Sequence, residues 1–238
     1  DALREIKDAT ELKAIGRAVR AAEGAFKTLT AGGRKKFVGR TERHVAGELE
    51  YLMRLHGAER AGFETIVAAG AHSALPHYRP GDTRIRRGDI VLIDWGAVVG
   101  GYCSDLTRVV FTGKIPPQIA RVYEIALRAQ SAGLAAVGPG RRCESADAAA
   151  RQVIVAEGYG EAIAHGLGHG IGLEVHESPR LGARARQRLQ AGMVVTVEPG
   201  IYLPGAGGVR IEDDVVVTSA GCRRLSRLSR ELSAMKLR

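Results

Sequence analysis

Two stretches near the beginning of the chain carry apolar residues at helical spacing. The first predicts a helix from about Ala9 to Leu29, and Asp8 with Glu11 three residues later forms a capping-box pattern at its start. The second predicts a helix from about Thr41 to His56, ended by Gly57. Their apolar faces consist of Leu12, Ile15, Val19 and Phe26, and of Val45, Leu49, Leu52 and Leu55.

Apolar runs with the character of strands follow these helices. Gly88–Asp94 is nearly continuously hydrophobic and predicts a buried strand. Tyr102–Phe111 predicts a return strand after a turn over Trp95–Gly101, so the two strands would form a β-hairpin. A polar loop that carries His77 precedes this hairpin.

The same order of elements then occurs a second time. Pro117 would begin a helix that runs to about Val137, and Ser145 would cap another that runs to Glu157. Two further strands are predicted, Gly192–Glu198 and Val209–Thr218.

The acidic residues of the two series of elements occupy corresponding positions. Asp94 and Glu198 lie 104 positions apart, as Gly88 and Gly192 do, whereas Asp105 and Glu212 lie 107 apart. We interpret this as an internal duplication over about 9–113 and 117–221. No segment rich in Gly, Pro or Ser separates the copies. We therefore predict one domain over 1–238 whose two pseudo-symmetric helix–helix–hairpin halves present their acids to a shared centre.

These acids are unusual for the places that they occupy. Asp105 falls within a predicted strand, where Asp is disfavoured, and acids that face each other across a hairpin repel unless a cation lies between them. Taken alone, Asp94 is typical of a turn at a strand end, and Glu212 is compatible with an edge-strand charge paired with Arg210. Together with His169 the four acids form an oxygen-rich set suited to manganese, cobalt or zinc.

Three of the seven histidines fall within twelve positions. His165 and His169 have the spacing of ligands one helical turn apart, but the glycines between and after them argue against a helix. We predict a loop that lets the backbone approach a ligand closely, followed by a short strand, Leu173–His176.

Composition narrows the possible functions. The net charge of +9 is spread as single arginines and short runs, and aromatic residues make up only 5% of the 238 residues. This favours a solvated surface over a nucleic-acid site with stacking aromatics. The longest apolar runs fall well short of the about 20 residues that a membrane helix requires. Three cysteines without a CxxC pair indicate a reducing compartment, and we expect a cytoplasmic protein in which Cys103 is a small core residue.

Several motifs, in order, resemble those of the pita-bread metallopeptidases, and most closely those of Xaa-Pro aminopeptidases and Xaa-Pro dipeptidases (prolidases). The motifs are Ser104–Arg108, His165–Glu177, Val197–Tyr202 and Val209–Asp214. The resemblance implies an α+β fold in which the two halves surround a curved antiparallel sheet. His72 departs from the asparagine that the family often has there, which affects a contact near the cleft rather than the metals.

The resemblance also implies a role for each site residue. Two divalent ions, first of all manganese, would be bound by Asp94, Asp105, His169, Glu198 and Glu212. Glu198, His77 and His176 would act in catalysis, and the substrate would be bound by His77, His165, His176 and Arg210. A hydroxide that bridges the metals would then remove the amino-terminal residue from peptides with proline in second position.

Two alternatives remain open at this point. The first is a methionine aminopeptidase, which would have the same metals and a different pocket. The second is a catalytically silent peptide-binding module of the same fold. The chain does not begin with Met. We therefore expect a catalytic domain cut from a longer parent, without the parent's amino-terminal domain, and the full-length parent as a possible homo-oligomer.

Overall fold

The computed structural model describes residues 2–238. Its α-helices are α1 (Ala2–Glu5), α2 (Ala9–Ala31), α3 (Glu42–Leu55), α4 (Pro117–Ala136) and α5 (Cys143–Ala156). The predicted capping box is confirmed, because the Asp8 carboxylate accepts hydrogen bonds from the N–H groups of Thr10 and Glu11 while the Glu11 carboxylate accepts one from the N–H of Asp8. None of the helices of residues 2–238 is both long and apolar enough to cross a membrane.

The start of α5 differs from the prediction. Ser145 lies within the first turn of this helix instead of capping it, and the cap residue is Arg142, whose side chain forms no cap hydrogen bond within residues 2–238. The N–H groups of Cys143 and Glu144 donate instead to the carbonyl oxygens of Gln187 and Ala185, both at 2.9 Å. A distant loop therefore satisfies the donors that a capping side chain would otherwise satisfy.

The strands form antiparallel ladders. In chain order they are β1 (Arg60–Ala61), β2 (Ile66–Ala69), β3 (Ile90–Trp95), β4 (Ala97–Val99), β5 (Tyr102–Cys103), β6 (Leu106–Phe111), β7 (Gly168–Gly170), β8 (Glu177–Leu181), β9 (Val194–Val197), β10 (Gly200–Leu203), β11 (Gly207–Arg210), β12 (Asp213–Thr218) and β13 (Gly221–Arg224). The larger sheet has the order β13-β12-β9-β7-β8, and a second has the order β2-β3-β6. Helices precede each set of antiparallel strands, so the predicted α+β class is confirmed.

Two of the predicted strands are interrupted at acidic residues. Tyr102–Phe111 is broken around Asp105, whose N–H donates to Asp214 Oδ2 at 2.9 Å instead of to a ladder partner. Val209–Thr218 is broken around Glu212, because β11 pairs with β10 whereas β12 pairs with β9. An isolated bridge between Thr107 and Glu212 joins the two sheets at these breaks. The chain thus changes its partner at both acids.

A continuous apolar core supports this junction. It extends from α2 and α3 through β3 and β6 to α4, α5, β9 and β12. Trp95 is fully buried at the end of β3, stacks on Phe26 with ring centroids 4.7 Å apart, and donates its Nε1–H to Ala22 O at 3.0 Å. Burying each such side chain contributes about 1.5–3 kcal/mol, so the core stabilises the strands that carry the site.

Candidate metal centre

All nine residues that the sequence singles out line one cavity of about 450 Å³. They are Asp94, Asp105, His169, Glu198, Glu212, His77, His165, His176 and Arg210. Apolar side chains form part of the same wall, namely Phe63, Ile66, Pro76, Val175 and Leu181. Residues far apart in the chain therefore form one cavity wall that combines polar and apolar side chains.

Each acid lies at the end of a strand or at a strand break. Asp94 is in β3 opposite Thr107 of β6, so its cross-strand neighbour is not Asp105, which precedes β6. Glu198 follows β9, and Glu212 lies between β11 and β12. Their positions at these strand ends bring the four carboxylates into the wall of one cavity.

His169 reaches the carboxylates from the middle of β7. The predicted loop at this position is in part this short strand, and Leu173–His176, predicted as a strand, lies outside any strand. The flanking glycines permit the close approach of neighbouring strands, since a Cβ on Gly168 would lie 2.1 Å from Thr196 O and one on Gly170 would lie 2.1 Å from Ser178 O. The alternating glycines therefore permit a strand at a position where larger residues would not fit.

The imidazole of His169 has the orientation of a metal ligand. Its Nδ1 lies 3.0 Å from Gly170 O and donates to it, so Nε2 is the nitrogen that faces the carboxylates and would bind a metal. Nε2 lies 3.3 Å from Glu198 Oε1 and 3.7 Å from Asp105 Oδ2. Ligand atoms of Asp105, His169 and Glu212 all lie within 4.8 Å of one another. A divalent ion can contact all three from one position.

Unpaired buried oxygens show that the site suits a cation. Asp94 Oδ1, Asp105 Oδ1 and Asp214 Oδ1 are buried and have no hydrogen-bond partner among residues 2–238. Most buried polar atoms in proteins have such a partner, and an unpaired buried charge is strongly unfavourable. Divalent ions bound by Asp94 and Asp105 would supply the missing partners of these two residues, so the ligand atoms present fit the metals that the sequence predicts.

The electrostatics of the metal-free site lead to the same conclusion. Burial, and then the neighbouring charges of Glu212 and Asp94, raise the pKa of Asp105 well above its ordinary value. Burial followed by the charges of Glu198 and Asp94 does the same for the pKa of Glu212. Burial also acts to raise the pKa of Glu198, but the hydrogen bond and charge of His169 outweigh it, and this pKa is lowered. Without a cation, these carboxylates cannot all be ionised together.

Arg210 holds part of the site in place. Its guanidinium donates to Asp94 Oδ2, to Thr107 Oγ1 at 3.1 Å and to the hydroxyl of Tyr202 at 2.7 Å. That hydroxyl lies 2.7 Å from His165 Nε2, while Nδ1 of His165 lies 2.8 Å from Gly166 O. Both ring nitrogens of His165 therefore already have partners.

Several supporting residues were missed by the sequence analysis. Thr107 donates to Glu212 Oε2 at 2.5 Å, and Thr196 donates to Glu198 Oε1 at 3.1 Å. Asp214 accepts the N–H of Asp105, and burial raises its pKa to about 8. Threonine is common in strands, so neither threonine carries a signal in the sequence, whereas Asp214 is an acid within a predicted strand, which is the signal that identified Asp105.

The other cleft histidines differ in their surroundings. His176 is exposed, and its ring meets that of His169 edge-on with centroids 4.4 Å apart. His77 lies in the loop after the 3₁₀-helix Gly70–Ala74 and lines the cavity. His72 instead turns to Glu42, with 2.9 Å between its Nδ1 and Glu42 Oε1. The basic residue Arg180 also lines the cavity, although the sequence analysis did not single it out.

The chain is similar to known peptidases over nearly its whole length. It is 45% identical over 230 residues to an Xaa-Pro dipeptidase of Pyrococcus furiosus, an alignment that covers 97% of this chain and 65% of the relative. An uncharacterised peptidase of Bacillus subtilis is also 45% identical, over 97% of this chain and 64% of its own length. The chain thus spans just under two thirds of the length of these relatives.

Solved structures agree with this similarity. An X-Pro aminopeptidase from Thermotoga maritima superposes with a TM-score of 0.93 at 43% identity, over 97% of this chain and 64% of that one. The prolidase from Pyrococcus furiosus superposes with a TM-score of 0.92 at 43% identity, over 96% of this chain and 67% of that one. The expected pita-bread fold is confirmed. Because residues 13–219 match the pattern of metallopeptidase family M24, the chain belongs to this family.

Proposed function

We propose that this chain is the metal-binding catalytic part of an Xaa-Pro peptidase, which removes the amino-terminal residue from peptides with proline in second position. The proposal rests on four carboxylates and one imidazole that line one cavity. Among them, Asp94 and Asp105 each have a buried oxygen without a hydrogen-bond partner in residues 2–238. The names of the relatives, Xaa-Pro dipeptidase and X-Pro aminopeptidase, support this choice of substrate.

Two divalent ions would be held by the five residues. Asp94 and Asp105 would bind one ion, with Asp105 reaching both ions, His169 would bind the other, and Glu198 and Glu212 would complete both sets. Oxygen ligands with a single imidazole suit manganese, with cobalt or zinc as substitutes. When bound, the ions would polarise the scissile carbonyl and make hydroxide available near neutral pH.

The side chains around the ions would perform the proton transfers. Glu198 would accept a proton from the attacking water and pass it to the leaving nitrogen. His176 and His77 would donate hydrogen bonds to the developing oxyanion. Arg210 would hold Asp94 and Tyr202 in place. His165 would contact the substrate with its ring carbons, because both its nitrogens are already bonded.

The walls of the cavity suit a proline residue. A peptide bond before proline has no N–H, so its recognition needs an apolar surface rather than an acceptor. Phe63, Ile66, Val175 and Leu181 supply such a surface beside the carboxylates. We further propose a reducing, cytoplasmic location, which the three free cysteines support.

A panel of substrates tests the proposal. Metal-stripped protein is given manganese, cobalt or zinc and then assayed on Xaa-Pro dipeptides, on longer Xaa-Pro peptides and on a Met-Ala peptide, with Asp105→Asn as the control without a complete site. Metal-dependent cleavage of the Xaa-Pro substrates alone is expected. Preference for the Met-Ala peptide would indicate a methionine aminopeptidase. Absence of both bound metal and hydrolysis would indicate a peptide-binding module.

A further inference from the structure

The segment before α2 contacts the loop that carries His176. The N–H of Lys7 donates to Gly192 O at 3.0 Å, and Ile6 forms an antiparallel bridge with Met193 just before β9. These contacts anchor the backbone of the segment to the larger sheet. The side chain of Lys7 is only 1% exposed, and its Nζ lies 3.3 Å from Glu177 Oε2.

A lysine in such a place requires a reason. Ammonium groups are rarely buried unless they are paired, and the desolvation lowers the pKa of Lys7 despite the nearby carboxylate of Glu177. A methionine of similar length would fill the space without this cost, so the charge serves an interaction. The partner of that interaction is Glu177.

The Glu177 carboxylate collects three donors. It accepts hydrogen bonds from the guanidinium of Arg4, from Lys7 Nζ and from the N–H of Glu174 at 3.0 Å. Burial acts to raise its pKa, but the Glu174 N–H and the two cations outweigh burial, and the pKa is lowered. One ionised carboxylate thus closes the turn from Glu174 and ties it to the amino-terminal segment.

His176 lies inside the turn that this carboxylate closes. The residues just before Glu177 are outside any strand, so sheet pairing does not hold the imidazole. His176 lines both the catalytic cavity and a neighbouring cavity of about 160 Å³, whose walls also include Arg4 and Glu177. A shift of the turn would therefore move His176 away from His169.

We propose that Lys7 is a positioning residue that acts through Glu177 to hold His176 in the catalytic cavity. The proposal rests on the proposed function, since it assigns the pair to the placement of a histidine that would contact the scissile carbonyl. It joins residues 170 positions apart, of which Glu177 ends one of the motifs and Lys7 lies outside all of them.

Kinetics on an Xaa-Pro dipeptide with manganese provide the first test. Lys7→Met is expected to lower kcat about tenfold, which corresponds to about 1.4 kcal/mol, with a smaller change in KM. Glu177→Gln should behave in the same way. The kcat of the double variant should be no lower than that of the less active single variant, because both changes break the same connection. Lys13→Met, at an exposed position of α2 without a side-chain partner in residues 2–238, is the matched control and should be unchanged.

Nuclear magnetic resonance of the histidine side chains provides a readout without substrate. The ring nitrogen signals of His176, assigned by their loss in His176→Gln, should shift in Lys7→Met and in Glu177→Gln but not in Lys13→Met. If the wild type hydrolyses nothing while these signals shift, the proposed function fails and the positioning role stands. The positioning role would be overturned if Lys7→Met is less stable but keeps the kcat and the His176 signals of the wild type. If Lys7→Met does not fold, Glu177→Gln decides by the same two measurements.

Discussion

Glu42 offers a quantitative test of how the loop bearing His77 is held. Its carboxylate is fully buried at the start of α3 and accepts four hydrogen bonds. The donors are the N–H of Ala69 at 2.8 Å, His72 Nδ1 at 2.9 Å, the Tyr78 hydroxyl at 2.6 Å and the N–H of Gly81 at 3.3 Å. All four lie on the segment that includes His77, so Glu42→Ala should loosen this segment.

The size of the effect follows from the surroundings of the donors. Ala69 is buried, and leaving its N–H without an acceptor costs about 1–3 kcal/mol. The other three donors are partly exposed and can turn to water, so each contributes less. A total of about 3 kcal/mol corresponds to a decrease in Tm of about 6–12 °C for a chain of this size.

Thermal unfolding of Glu42→Ala is compared with that of Glu50→Ala. Glu50 is on the same helix and half-exposed, and within residues 2–238 its side chain has no hydrogen-bond partner. The control should change Tm by no more than about 2 °C, since surface substitutions usually change stability by less than about 0.5 kcal/mol. Equal Tm values for the two variants would refute the account of Glu42 as the anchor of the segment.

Three further predictions concern the site itself. Glu198→Gln should keep the fold and lose about 10²–10⁴-fold in kcat, measured on an Xaa-Pro dipeptide, and retained turnover would exclude the proton-transfer role. The raised pKa values of Asp105 and Glu212 mean that the folded metal-free protein keeps protons that the unfolded chain loses, so its Tm should fall as pH rises above about 5. Manganese binding should then release protons, measured by calorimetry in two buffers of different ionisation enthalpy, and no release would contradict these pKa directions. Gly170→Ala, whose Cβ would meet Ser178 O, should weaken metal binding and lower Tm. Gly182→Ala should change neither, because apart from its chain neighbours no atom of residues 2–238 would lie within 4 Å of the added Cβ.

The parts of the fold that the sequence predicts depend on local periodicity. The stripe of α2 and its capping box are visible because neighbouring turns of one helix determine both. Asp94 and Glu198 are visible because they occupy the same position in the two repeated series of elements, 104 residues apart. Their grouping at a shared centre was expected from this repeat, the resemblance implied their roles as metal ligands, and the cavity brings the residues together.

The parts that the sequence did not predict depend on distant contacts. The strand breaks at Asp105 and Glu212 arise where the chain exchanges one partner strand for another. The absence of a cap at Ser145 has the same origin, since carbonyl groups of residues 185 and 187 replace it. No local pattern contains this information. The interpretation of 9–113 and 117–221 as duplicated halves stays a prediction.

The central claim is that Asp94, Asp105, His169, Glu198 and Glu212 together hold two ions that enable cleavage before proline. The most direct measurement titrates metal-stripped protein with manganese while bound metal and the rate of Ala-Pro hydrolysis are followed on the same samples. We expect no hydrolysis without metal and full activity at two ions per chain. In Asp105→Asn, the bound metal and the hydrolysis should both be lost. Full activity of the stripped protein, or of Asp105→Asn, would contradict it.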